Sequence, residues 1–203
     1  MKKIRAIFFD LGGVVLTQKA EVRLETIAEA FELDKNDLEV VFKKYSKDWS
    51  TGKISATILA KQLKQEFKFK KGTQDILRNW KKVYERKTLP NKELLNLIDE
   101  LRKTYKIYLL TNTVDLHHNI NSKRSIFNHF DQVFASFIIG KRKPDSDIYE
   151  HALKKVNLKA AECIFTDDLK KNINAAKNLG FNTILFQNNE SFIRELNGIG
   201  IKI

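Results

Sequence analysis

The chain has 203 residues, 42% of them hydrophobic and 31% charged, which suits one α/β domain or a core with a small insert. The charge density and the lack of any apolar run near the ~18 residues of a spanning helix exclude a membrane partner. The net charge is +12, and a lone cysteine, Cys163, rules out an internal disulfide and fits a reducing cytoplasm.

In chain order, Ile4–Phe9 (IRAIFF) is an apolar run cut off by Asp10 and Gly12-Gly13. It is too short for the apolar stretch of a signal peptide and reads as a buried strand entering a tight loop. From about Lys19 to Lys87 apolar residues recur three and four apart, as in a set of amphipathic helices. Leu24, Ile27, Ala28 and Phe31 come first, then Leu38, Val41, Phe42 and Tyr45. Ile58, Leu59, Leu63 and Phe67 follow, then Ile76, Leu77, Trp80 and Tyr84. Ser55 and Thr73 are helix starts by type. Between Lys61 and Thr88 ten basic residues face three acidic ones, so this stretch nets +7. A basic face can draw a polyanion. No nucleic-acid-binding motif accompanies it, so it reads as solvated helix surface and nucleic acid is not an expected partner.

The pattern changes at Pro90. Asn91–Lys103 is an amphipathic helix, and Ile107–Leu110 a strand ending at Thr111-Asn112-Thr113. Gln132–Ala135 is a short strand, Asp145–Val156 a helix, and Cys163–Thr166 a strand ending at Asp167-Asp168. Lys170–Leu179 is a helix closed by Gly180, Thr183–Phe186 a strand, and a last helix lies near Ser191–Asn197. Strands alternating with helices imply a doubly wound, Rossmann-like parallel sheet with helices on both faces. The helical stretch interrupts that alternation. The expected organisation is an α/β core of residues 1–16 and 89–203, with residues 17–88 inserted as an α-helical cap.

Asp10, Thr111-Asn112 and Asp167-Asp168 all fall at the carboxyl ends of expected strands, the edge where open α/β sheets bind ligands. Any one of them alone reads as a helix N-cap. Their coincidence at three strand ends reads as a site.

At these residues the sequence resembles the haloacid dehalogenase (HAD) superfamily over nearly its whole length. FFDLGGVVL, LLTNT, GKRKPDSDIY and FTDDLKKNINAAKNLG resemble the family's four motifs, in order. The wording of the first three is similar to a subgroup of bacterial sugar-phosphate phosphatases that includes glucose-1-phosphate phosphatase-like proteins. The resemblance implies a hydrolase that attacks phosphorus with a carboxylate, here Asp10, through an aspartyl-phosphate. It implies Mg2+ on Asp10, the Gly12 carbonyl and Asp168, with Asp167 beside them through water. It places Thr111 and the Asn112 amide on a phosphate oxygen, and Lys143 as a point charge between Asp10 and the phosphoryl group. The implied partner is a small-molecule phosphate.

One position departs from the family. The usual first motif carries a second Asp two residues after the nucleophile, as general acid and base, and here that residue is Gly12. Such groups contribute ~10²–10⁴-fold, or roughly 3–5.5 kcal/mol of barrier. The resembled subgroup shares the Gly, and its presence shifts the expected substrate toward good leaving groups. Asp115, His117 and His118 follow the second motif and are possible replacements, although surface or cap-facing histidines are the plainer reading. His129 and His151 read as structural residues of helices, Cys163 as an inert buried thiol, and Trp49 and Trp80 as core of the helical stretch. The rival functions are a different HAD reaction (dehalogenation or phosphomutase chemistry) and a catalytically silent binding protein. The paired acids argue against the dehalogenase, the missing acid/base against the mutase, and Asp10, Thr111, Lys143 and Asp168 standing together against silence.

Overall fold

Strand β1 (Ala6–Phe9) lies at the centre of the sheet, with all four side chains out of contact with solvent. Its alternation divides the core: Ile7 and Phe9 face one hydrophobic cluster, Ala6 and Phe8 the other. A strand buried on both faces has to be apolar throughout, which is why this run does not alternate with polar residues. The structure is a computed structural model and describes residues 3–17 and 27–201. The expected apolar position Leu24 lies outside the described residues.

Four more strands run parallel to β1: β2 (Lys106–Thr111), β3 (Gln132–Ala135), β4 (Cys163–Asp167) and β5 (Asn182–Leu185). The order is β3-β2-β1-β4-β5, so the chain winds outward from β1 in both directions. Register sets Phe9 against Leu109 and against Thr166, which brings the ends of β1, β2 and β4 to one edge.

The helical stretch holds α1 (Lys35–Ser50), α2 (Ala56–Glu66) and α3 (Thr73–Lys87). Asp34 caps α1 through the Asp37 N–H at 2.8 Å, and Ser55 caps α2 through the Ile58 N–H at 3.2 Å. Among the described residues of this stretch none lies in a strand of the sheet. Its core is its own cluster, with Trp49, Leu59, Leu63, Trp80 and Val83 inside. Ile58, expected on the apolar face, is 45% exposed. It sits one helical step from Leu59, and Leu59, Ala60 and Leu63 already fill the inward stripe. The basic residues of the stretch are mostly exposed, and several are paired: Arg78 with Asp75, Lys87 with Glu29, Lys71 with Glu32 and Arg86 with Glu29.

The remaining helices are α4 (Lys92–Arg102), α5 (Asp115–Lys123), α6 (Ser136–Ile139), α7 (Ser146–Val156), α8 (Lys170–Asn178) and α9 (Asn189–Gly198). Helices α4 and α9 pack with Ile7 and Phe9, and α7 and α8 with Ala6 and Phe8. The observed architecture is therefore the doubly wound parallel sheet expected from the alternation. Helix α6 was not legible beforehand: four residues are too few to show a period. Among the described residues no helix is long and apolar enough to cross a membrane.

Specific bonds fix the helical stretch over the carboxyl edge of the sheet. The Ser136 hydroxyl donates to the Ser50 carbonyl at 2.6 Å, and Asp115 accepts the Ala56 N–H at 3.0 Å. Arg124 donates to the Thr88 and Glu85 carbonyls at 2.8 and 2.7 Å. Gly52 (φ 75°) passes so close to α6 that a Cβ there would lie 2.1 Å from the Phe137 carbonyl oxygen. Only glycine permits that approach.

Candidate active site

Asp10 follows β1 directly, held by a hydrogen bond from its N–H to the Thr166 carbonyl at 2.9 Å. The chain then turns sharply. The Leu16 N–H donates to Leu11 O at 2.7 Å, and the Gly13 N–H to Leu16 O at 2.9 Å. Gly13, not Gly12, carries the left-handed backbone, with φ 82°. A Cβ on Gly13 would lie 2.2 Å from Oδ2 of Asp168, so this glycine is what lets the Asp168 carboxylate come up against the loop.

Lys143 is 1% exposed and stands between two carboxylates. Its Nζ is 2.8 Å from Asp10 Oδ1 and 2.6 Å from Asp167 Oδ2, with the Phe165 ring 5.2 Å away. Burial opposes its charge, but Asp10 and then Asp167 outweigh that, and the ammonium is held above the usual lysine range. Two further groups fix this arrangement. The Asn172 amide donates to both oxygens of Asp167, at 3.0 and 2.9 Å, and the Leu169 N–H donates to its Oδ1 at 2.9 Å. Asp167 was expected beside a metal through water. Its oxygens are engaged by Lys143, Asn172 and Leu169, so its visible work is to anchor Lys143.

Asn112 also holds Lys143. Its Oδ1 accepts the Lys143 N–H and its Nδ2 donates to the Lys143 carbonyl, both at 2.8 Å. That two-way bond orients the lysine backbone. Thr111 is buried at the end of β2, and the next two residues, Asn112 and Thr113, line the cavity.

Ligand atoms of Asp10, Asp167 and Asp168 lie within 4.8 Å of one another. Three carboxylates formally facing one ammonium leave an excess of negative charge, and their hard oxygens suit Mg2+ or a similar cation. With the close approach that Gly13 allows to Asp168, the residues present fit such an ion.

A cavity of about 260 Å³ opens above Asp10, Asn112 and Lys143, with Arg142 and Lys171 also in its wall. The helical stretch supplies the other side, through Phe42, Trp49 and Tyr84. Here Trp49 is both buried core and cavity wall, whereas Trp80 is core alone at 0% exposure. His117 lines the cavity, stacked on Tyr84 with centroids 3.8 Å apart. His118 packs on Phe127 and Phe137, and burial pushes its pKa down. His129, read as a structural residue, has Nδ1 2.8 Å from Asp99 Oδ1, across a contact between a short helical turn and α4 that sequence spacing does not show. Burial pushes the Cys163 thiol up to about 12. Gly13, Tyr84, Arg142 and Lys171 were not singled out by sequence reasoning. Asn172 entered it only as part of the stretch FTDDLKKNINAAKNLG.

A family model described as haloacid dehalogenase-like hydrolase matches residues 4–180. A D-ribitol-5-phosphate phosphatase of Bacteroides thetaiotaomicron is 27% identical over 95% of this chain and 97% of its own length. A sesquiterpene phosphatase of Aspergillus oryzae is 37% identical over 45% of this chain; the match spans about half (47%) of that protein. A HAD family enzyme of Bacteroides thetaiotaomicron, solved with magnesium and inorganic phosphate, superposes with a TM-score of 0.78 at 21% identity, covering 94% of this chain and 100% of its own.

Proposed function

The chain belongs to the haloacid dehalogenase-like hydrolases, and on that premise we propose that it is a Mg2+-dependent phosphatase of small organic phosphates with Asp10 as nucleophile. The observation that carries the reading is the buried Lys143 ammonium 2.8 Å from Asp10, in a carboxylate cluster beneath a cavity. An ammonium in that position pairs with the carboxylate and aims it. The relative matched over nearly its full length is a phosphatase, and the magnesium and phosphate bound by the structural neighbour agree with the donor set here.

In this reading one Asp10 oxygen attacks phosphorus and the ester P–O bond breaks. The alcohol oxygen departs with the bonding pair and takes up a proton. Water then displaces the Asp10 carboxylate from phosphorus, releasing inorganic phosphate. Lys143 neutralises charge on the phosphoryl oxygens while Asp167, gripped by Asn172, holds it in place. Asn112 fixes the Lys143 backbone, and its main-chain N–H, with Thr111, serves the phosphate. Mg2+ held by Asp10, Asp168 and the Gly12 carbonyl would offset the repulsion between nucleophile and substrate. Residues 17–88 act as the cap that closes the cavity.

The test is hydrolysis of an aryl phosphate with Mg2+ and with chelator, for the parent chain and Asp10→Asn. Turnover that needs Mg2+ and vanishes in a folded Asp10→Asn protein, checked by far-UV circular dichroism, is expected. Activity at the parent level in that variant would refute the nucleophile.

A further inference from the structure

Resting on the phosphatase reading, the cavity wall carries information about the alcohol that leaves. Among the described residues, the side contributed by the helical stretch and α5 presents Ile27, Phe42, Trp49, Tyr84, Val114 and His117. These rings brace one another. Tyr84 and His117 stack at 3.8 Å and 11°, and Trp80, fully buried, stands 5.4 Å from His117 and 5.0 Å from Trp49. A wall built this way is formed before a ligand arrives, so little ordering cost falls on binding.

Among the described residues, aromatic and aliphatic surface outweighs hydroxyl-recognising groups on that side. The Tyr84 hydroxyl already accepts the Asn121 amide at 2.8 Å, and the Ser50 hydroxyl donates to Lys47 O at 3.3 Å. Among the described residues, Ser46 and Thr113 are the other hydroxyls of the cavity wall. Charged donors, Lys143, Arg142 and Lys171, belong to the core side and suit the phosphate dianion. A polyol entering this chamber would lose water from several hydroxyls and regain few hydrogen bonds. An apolar group would bury its surface against aromatic faces. The volume of about 260 Å³ is just below the range of ~300–1,000 Å³ for small-molecule sites, and leaves room for about one ring beyond the phosphate.

We propose that the preferred substrates are phosphate monoesters of compact apolar alcohols, of about single-ring size and aromatic or cyclic, in preference to sugar or polyol phosphates.

The experiment compares kcat/KM for benzyl phosphate and for ribitol 5-phosphate with Mg2+, both being esters of primary alcohols so that recognition is separated from leaving-group chemistry. Acetyl phosphate, which places almost nothing in the chamber, is run alongside as the measure of phosphatase chemistry itself. The benzyl ester is expected to be favoured at least about tenfold, since a site lacking hydroxyl partners discriminates against polar groups by such factors. Equal rates, or a preference for the polyol, would overturn the proposal. In a folded Phe42→Ser protein the preference should shrink several-fold, mainly through KM for the benzyl ester; an unchanged ratio would count against the wall. If acetyl phosphate is not turned over, the phosphatase reading fails, and the two esters can then be titrated intact by calorimetry. Tighter binding of the benzyl ester would still sustain the chamber's preference, and equal or weaker binding would overturn it.

Discussion

Replacing Lys143 by Met tests the centre of this site. Methionine keeps much of the length and apolar stem but removes the ammonium that sits 2.8 Å from Asp10 and 2.6 Å from Asp167. All three side chains are nearly excluded from water, so the carboxylates cannot recover the lost partner by solvation. Breaking a buried pair from one side costs about 3–5 kcal/mol. For a chain of this size each kcal/mol lowers Tm by roughly 2–4 °C, so the metal-free variant should melt about 6–20 °C below the parent. Mg2+ should raise the variant's Tm more than the parent's, because the ion then meets an uncompensated carboxylate cluster. Hydrolysis should fall by at least about a hundredfold, as expected when a charge stabilising the transition state is lost. The assay is urea and thermal unfolding in chelator and in Mg2+, with turnover measured in parallel. A metal-free loss below about 1 kcal/mol, typical of exposed pairs, would refute the claim that this lysine holds the cluster together. The pH dependence follows from the raised lysine pKa. Its contribution should be fully present below the unfolded value of about 10.4 and lost as pH rises through the higher folded value.

Gly13→Ala should fold less stably and bind Mg2+ more weakly, since its Cβ would collide with Asp168 on a backbone with φ 82°; titration calorimetry showing unchanged affinity would contradict the role given to that glycine. Gly12→Asp should accelerate poor leaving groups more than good ones, because Gly12 lacks the left-handed φ that would bar an aspartate; a uniform effect across a leaving-group series would show that another residue already serves as the acid. Cys163, fully buried and with its thiol pushed up to about 12, should resist alkylation at pH 8 in the native protein and react in denaturant; rapid native labelling would contradict its placement in β4.

The local pattern of this chain was enough to place most of its elements. A continuous apolar run bounded by Asp10 and the glycines could only be a strand buried on both faces, and Gln132–Ala135 was read at its observed limits. Period and breakers are properties of neighbouring residues, so they survive without coordinates. The same holds for the motifs, which placed Asp10 and the paired acids at strand ends and Lys143 just before Pro144. What depended on contacts across the sequence was not available. Asp167 and Asp168 are adjacent and identical in type. The resemblance gave them different expected roles, but the packing of Asn172 and the Lys143 ammonium on one, and of Gly13 against the other, came only from the fold. The Asn112 side chain grips the Lys143 backbone because a residue 31 positions away lies within hydrogen-bond reach. Trp49 and Trp80 are the same residue type on neighbouring helices, yet one lines the cavity and the other only supports it. Sequence assigns chemistry to positions one at a time. The tertiary structure decides which of those positions share a dielectric and a partner, because buried charges and hydrogen-bonding groups must be satisfied by whatever the fold brings within about 3 Å.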